Sequence, residues 1–234
     1  MDYSQIDVAG PDAAAFLQGQ LSNDIRLLES RPRMLAAWCN PKGRVIALLR
    51  VAPRGAGYAL ALPAELGEPV IRRLGMFRFR SRVEFASAVL DPVVLGLEDA
   101  AAETLAAWRI DNLRHGIPEV AAAQSEAFTP HMLNLDRLEA LSFDKGCYPG
   151  QEIVARTHYR GASRRRLQLY ESTTPVEPGN EIYAGDRKIG DVVNAIGREL
   201  LAVVPLDAAD DALKVAGSDL TRLPLPYELT GPGT

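Results

Sequence analysis

One run of eight residues, Lys145-Gly146-Cys147-Tyr148-Pro149-Gly150-Gln151-Glu152, constrains this chain more than any other. It sets one of only two cysteines between two glycines, with a basic residue ahead and an amide and a carboxylate behind. Glycine on both sides lets the backbone turn tightly and come close to a ligand or another strand. Pro149 fixes one backbone angle and suits the first turn of a helix, which Gln151 to Arg156 then continues. Cys147 would stand just ahead of that helix N-terminus with Lys145 two residues away, and both features favour the thiolate. The same residues also suit a plainer role, a cysteine filling a corner beside a tight turn.

Composition narrows the classes. A chain of 234 residues that is 47% hydrophobic buries a real core, as one large domain or two small ones. A net charge of -4 argues against non-specific nucleic-acid binding. Cys39 and Cys147 do not make a disulfide framework, and no paired Cys/His spacing suggests zinc, so no bound metal is predicted. A reducing compartment fits. Met1-Asp2-Tyr3-Ser4 has no basic region leading into an apolar one, and no apolar run reaches the roughly 18 residues of a membrane span. The expectation is a cytoplasmic protein without membrane contact.

Along the chain, Gly10-Pro11-Asp12 opens a helix with Pro11 in its first turn. Met34 to Cys39 and Val45 to Val51 read as a hairpin around the turn Asn40-Pro41-Lys42-Gly43. Tyr58 to Leu62 is a strand, Pro63 starts a helix, and Val83 to Phe85 and Val93 to Leu97 read as further strands. Glu98 to Arg114 is helical, stopped by Gly116 and Pro118. The texture changes after Gly161: short strands at 165–170, 181–183, 188–196, 200–204 and 213–215, punctuated by glycine, suggest a small barrel. We place the boundary near residue 160, giving domains 1–160 and 161–234, with a loose tail at 231–234.

The longer run Ser142 to Arg156, followed by Arg160-Gly161, resembles the signature of the YgfZ family. These are folate-binding relatives of the glycine-cleavage T protein (aminomethyltransferase), linked to iron–sulfur cluster assembly and tRNA modification. Phe16 to Leu21, Gly116-Ile117-Pro118, Phe128-Thr129-Pro130, Asn134-Leu135 and Leu225-Pro226-Tyr227 resemble the family elsewhere, so the likeness spans nearly the whole chain. It implies an α+β fold: a ferredoxin-like folate-binding body followed by a small C-terminal β-barrel. The body looks shortened, because 97–108 runs directly into the next helix where longer relatives carry an additional segment.

The resemblance also implies a ligand, tetrahydrofolate or a derivative. A pterin needs an aromatic wall and its glutamate tail needs cations. Tyr3 and Trp108 match aromatic positions near the family's ligand; Arg114, Tyr148, Gln151 and Glu152 join them as candidate contacts. Cys147 is the candidate functional thiol, with Lys145, Gly146, Gly150 and Arg156 supporting its loop. Tyr3 as a frayed terminus and Trp108 as plain core stay open. Two departures bear on activity. The T protein's essential aspartate is replaced, since Gly43-Arg44-Val45-Ile46 leads into Ala47-Leu48. Its pterin-reading glutamate is replaced by Arg114, which cannot accept the pterin's hydrogen bonds. The implied function is an accessory protein serving iron–sulfur client enzymes or assembly proteins, without direct nucleic-acid binding. A folate-dependent one-carbon transferase is the alternative, and a scaffold without any small ligand is a third. The basic group Arg156, His158, Arg160, Arg164, Arg165, Arg166 reads as a solvated hinge or as an anion site; His115 and His131 are distant in sequence from Cys147.

Overall fold

The computed structural model describes residues 2–161, 163–208 and 212–229; the tail expected to be loose, 231–234, lies outside them. The first half of the chain builds one antiparallel sheet from β1 (Tyr3–Ala9), β2 (Met34–Cys39), β3 (Val45–Arg54), β4 (Gly57–Pro63) and β5 (Glu84–Ala88). The spatial order is β2-β3-β4-β1-β5. Two helices interrupt it, α1 (Ala13–Gln18) after β1 and α2 (Ala64–Gly75) after β4. Without the extra edge strand β2, the chain runs β1-α1-β3-β4-α2-β5 and the sheet is ferredoxin-like.

β3 shows why the sheet lies at the centre. From Val45 to Ala52 every residue is buried, the mark of a strand covered on both faces. One face packs with α1 and α2 around Ile6, Leu17, Trp38, Leu49 and Leu60. The other places Ala37, Val45 and Leu48 against Leu113, Leu133 and Leu135, and against Leu167, Val193 and Leu201 of the barrel. Sheet and barrel therefore share one apolar core. The barrel closes from β6 (Arg165–Ser172), β7 (Glu181–Ala184), β8 (Arg187–Ile196), β9 (Glu199–Pro205), β10 (Leu213–Val215) and β11 (Ser218–Leu223), with β10 pairing both β11 and β7.

Several local expectations are corrected. The segment 93–97 is no strand but part of a short helix, α3 (Pro92–Leu95). The Asp91 side chain accepts from the Val93 N–H at 3.1 Å, Pro92 opens the first turn, and Gly96 ends it in the left-handed region at φ 83°. That capping set outweighs the β preference of two valines. The next helix, α4 (Ala102–Arg114), starts later than Glu98, and α1 starts at Ala13 with Asp12 as its N-cap, leaving Pro11 outside.

Candidate functional site

The cysteine loop leads into α5 (Gln151–Arg160), whose N-cap is Gly150, so Pro149 precedes the helix and is not in its first turn. Cys147 is exposed with a free thiol, whereas Cys39 is buried and its thiol is pushed up to about 12 by desolvation. The loop lies backbone to backbone on the β2–β3 turn. Gly150 has φ 80°, and a Cβ there would fall 2.5 Å from the Asn40 carbonyl oxygen and 2.7 Å from Gly43 Cα. A Cβ on Gly146 would meet nothing, so only the second glycine is demanded by close approach. Gly150→Ala should cost about 2–4 kcal/mol in urea unfolding, with Gly146→Ala near neutral as its control. Equal midpoints for the two variants would remove the close approach as the reason for Gly150.

Lys145 turns away from solvent. Its Nζ donates to the carbonyls of Gln18 (2.6 Å), Leu21 (2.5 Å) and Asn23 (3.1 Å), one acceptor for each ammonium proton. Burial draws its pKa down to about 8, which leaves it mainly charged at neutral pH. The ammonium also lies 5.3 Å from the Tyr148 ring centroid. Tyr148 is buried, its hydroxyl has no hydrogen-bond partner among the described residues, and desolvation raises its pKa. On α5, Gln151 is half-buried while Glu152 and Arg156 are exposed.

Tyr3 and Trp108 come together at the other end of β2. Their rings meet edge to face, with centroids 5.2 Å apart. The Tyr3 hydroxyl donates to Glu119 Oε1 at 2.9 Å, and burial raises its pKa. Arg109 grips the same buried carboxylate through Nε and a terminal nitrogen at 2.9–3.0 Å. The Arg50 guanidinium lies 4.2 Å from the Trp108 ring centroid and donates to Asn112 Oδ1 at 3.1 Å. Arg50, Trp108 and Asn112 line a cavity of about 250 Å³ with Arg33, Met34, Leu35, Leu95 and Ile117, whereas Tyr3, Arg109 and Glu119 lie behind that lining. Arg33 reaches over Gly96, where a Cβ would fall 2.4 Å from its Cζ. The barrel holds this cluster too. Asn194 accepts from the Glu119 N–H and donates to the Glu119 carbonyl, both at 2.9 Å, and follows a bulge in β8.

The candidate residues do not converge. The cavity opens beside Met34 and Leu35, and the cysteine loop packs beyond Cys39, roughly 20 Å along the strand at the usual rise per residue. Arg114 joins neither: it pairs with Glu199 of β9 at 2.5 and 2.8 Å. The basic group also divides, since Arg166 is buried against Asp136 while Arg160 and Arg164 are exposed.

A family model for the CAF17 C-terminal beta-barrel domain matches residues 164–225. A curated protein of Edwardsiella ictaluri is 31% identical over 299 positions, covering 97% of this chain and 90% of its own length. One of Serratia proteamaculans is 30% identical over 301 positions, covering 97% and 91%. Both are named tRNA-modifying protein YgfZ. This chain belongs to the YgfZ family. Both alignments are longer than its 234 residues, so these YgfZ proteins carry interior residues that it lacks. The fold is also that of the glycine cleavage system aminomethyltransferase T of Bartonella henselae (TM-score 0.70, 14% identity, 94% of this chain and 82% of that one).

Arg50 and Glu119, among other residues of the cluster in this YgfZ chain, were not anticipated from the sequence. Arg50 interrupts an apolar run, and a lone arginine in a doubly covered strand signals a buried charge that needs partners. Glu119 follows Pro118 directly and gives no signal of its own. Among the described residues no cluster of His, Cys, Asp or Glu is placed to hold a metal, and no helix is long and apolar enough to cross a membrane.

Near the cysteine loop, Phe143 stacks on His158 at 3.7 Å, and His131 lies 6.4 and 6.2 Å from their centroids. His131 is buried, among the described residues neither ring nitrogen has a hydrogen-bond partner, and its pKa falls to about 4. Desolvation is the main cause; Asp136 opposes it and Arg166, His158 and Arg137 add to it. An unfolded histidine titrates near 6.5, so below that pH the unfolded chain takes up a proton the fold refuses. Stability should therefore fall between pH 6.5 and 4, by up to about 3 kcal/mol from this residue. His131→Phe should flatten that part of the curve; superimposable profiles for the two proteins would exclude the histidine as its source.

Proposed function

We propose that this chain is a tetrahydrofolate-binding accessory protein that supports iron–sulfur cluster assembly or repair, including tRNA-modifying iron–sulfur enzymes, and acts through the Cys147 thiol. The division into a folate-binding part, 1–160, and a barrel, 161–234, and a place in the cytoplasm belong to the same reading. The observation that carries it is the Arg50–Trp108 cavity. Arg50 is 7% exposed, yet among the described residues no carboxylate lies within ion-pair distance of it. Its partners are an amide oxygen, a ring face and the Tyr3 hydroxyl, and the Glu119 charge reaches it from beyond ion-pair distance. A buried guanidinium with no carboxylate in contact favours an electron-rich or anionic guest. At about 250 Å³ the space lies just under the usual ligand-pocket range of about 300–1,000 Å³, and suits a flat ring system with the remainder of the ligand outside.

Trp108 would supply the wall for the pterin, Asn112 and Arg50 the polar edge, and exposed Arg33 a cation for the tail. Bound tetrahydrofolate would supply one-carbon carrying capacity. Among the described residues no carboxylate lines the cavity, and Arg114 is not part of the lining. One-carbon transfer by the T-protein route is disfavoured, because Ala47 and Leu48 are both buried in β3 where that reaction needs an aspartate.

The test is isothermal titration of the reduced protein with tetrahydrofolate, beside Trp108→Ala and Arg50→Met. Saturable heat that weakens at least about tenfold in both variants is expected. Absence of heat from the wild type would end the folate reading. Cys147→Ala should keep that heat and lose tRNA modification in a strain lacking its own copy; full restoration by the variant would end the thiol role.

A further inference from the structure

Past α2 the chain reverses in a turn closed by the Ser81 N–H on the Arg78 carbonyl at 2.8 Å. Phe79 occupies its second position at φ 43°. Glycine is the residue for that conformation, and a bulky side chain there is strained. No internal packing requires the ring, which is 87% exposed, and Met76 beside it is 65% exposed. Arg72, Arg78 and Arg80 are exposed as well, and among the described residues none pairs with a carboxylate. Their neighbours differ: Arg73 pairs with Glu126 and Arg82 with Asp12.

This tip stands on the cysteine-loop end of the sheet. Phe77, at its root, meets Trp38 edge to face at 6.4 Å. Glu126, the partner of Arg73, also accepts from the Asn40 side chain, and Asn40 begins the turn on which Gly150 lies. A strained backbone that holds an aromatic ring outward between two unpaired arginines, on the end of the sheet where the cysteine loop packs, calls for an external contact.

We infer that Met76–Arg80 is a docking knob for a partner protein, one whose surface offers an apolar pocket rimmed by carboxylates and which is thereby brought to Cys147. The inference rests on the proposed role of Cys147 only for what the partner comes to do. Aromatic and arginine side chains dominate interface energetics, and exposed methionine is enriched there. A turn already fixed lowers the ordering cost of binding. RNA is the less suitable occupant. Single strands need a series of stacking rings where this tip has one, and the net charge of -4 opposes a polyanion.

Phe79→Gly tests this without risk to the fold, because glycine relieves the strained φ. Its melting temperature should equal or exceed that of the wild type, and its tetrahydrofolate heat should be unchanged. In a strain lacking its own copy, tRNA modification should fall at least about tenfold. Arg78→Glu with Arg80→Glu should do the same. With a benzophenone amino acid at position 79, irradiation in cells should give a protein adduct whose cross-linked peptide carries Asp or Glu beside apolar residues. Full modification by Phe79→Gly would overturn the proposal. So would loss of the folate heat together with function, which would trace the defect to the cavity. A gel shift of purified bulk tRNA by the wild type, abolished in the double arginine variant, would make RNA the occupant and overturn it too. If wild-type protein gave no folate heat at all, the cell assay and the adduct would still decide the docking question alone.

Discussion

Lys145→Met should lower stability by about 3–5 kcal/mol, the largest loss from any single change in the cysteine loop. Methionine keeps most of the apolar stem and removes the ammonium. The carbonyls of Gln18, Leu21 and Asn23 would then lose their shared donor in a site with little water. Each buried acceptor left unmade costs about 1–3 kcal/mol, softened where the chain can relax. Lys145→Arg should not restore the loss, because a planar fork cannot address three carbonyls gathered around one point. Urea midpoints measure the cost, and the rate of Cys147 modification by a thiol reagent reports whether the loop has come loose. A midpoint within about 1 kcal/mol of wild type would show that the three carbonyls find other donors.

Asp136→Ala should cost a similar amount, about 3–5 kcal/mol, by stranding a buried cation. Asp136 and Arg166 form a two-pronged pair at 2.5 and 3.0 Å, with side chains 2% and 6% exposed. Arg166 also donates to the His131 carbonyl at 2.9 Å, so one guanidinium ties the 131–136 segment to β6. Replacing both partners, Asp136→Leu with Arg166→Met, should recover the part of the loss that comes from stranding Arg166, while Arg137, whose Nε lies 3.7 Å from Asp136 Oδ2, still loses that carboxylate. The double-mutant cycle separates the pair from its packing. A double variant no better than Asp136→Ala would show that the segment depends on the shape of the pair rather than on its charge balance.

Strands whose apolar runs end at strong turn formers were legible from sequence. Met34–Cys39 and Leu213–Val215 fall where they were expected, and the hairpin turn at Asn40 to Gly43 lies between β2 and β3. Local capping was harder to weigh. Asp91-Pro92 and Gly96 converted an apparent strand into α3, and Pro69 inside α2 left that helix intact. β1 and β11 were not anticipated, although Ile6, Asp7 and Val8 alternate in burial as a half-buried strand should. At the site, the cysteine loop was marked by its own residue types. Tyr3 and Trp108 were each singled out by resemblance as aromatics near a ligand; the meeting of their rings and their chemical partners were not. Glu119, Arg109 and Asn194 are brought together by three separate segments, and spacing along the chain carries no record of that. The direction of a lysine is equally invisible: Lys145, two residues from the thiol, spends its protons on the 18–23 segment.

The grip of Asn194 on both backbone groups of Glu119 has a thermodynamic corollary. The amide is part of β8, so the barrel wall and the Tyr3–Arg109–Glu119 cluster behind the cavity cannot loosen independently. A guest that steadies Glu119 also lengthens the lifetime of closed β8, and amide protons near Asn194 would exchange more slowly in its presence. By reciprocity, anything that grips the barrel tightens the guest's hold by the same factor. The barrel is in this sense a handle on the cluster behind the cavity, and a disturbance at one can be read from the other.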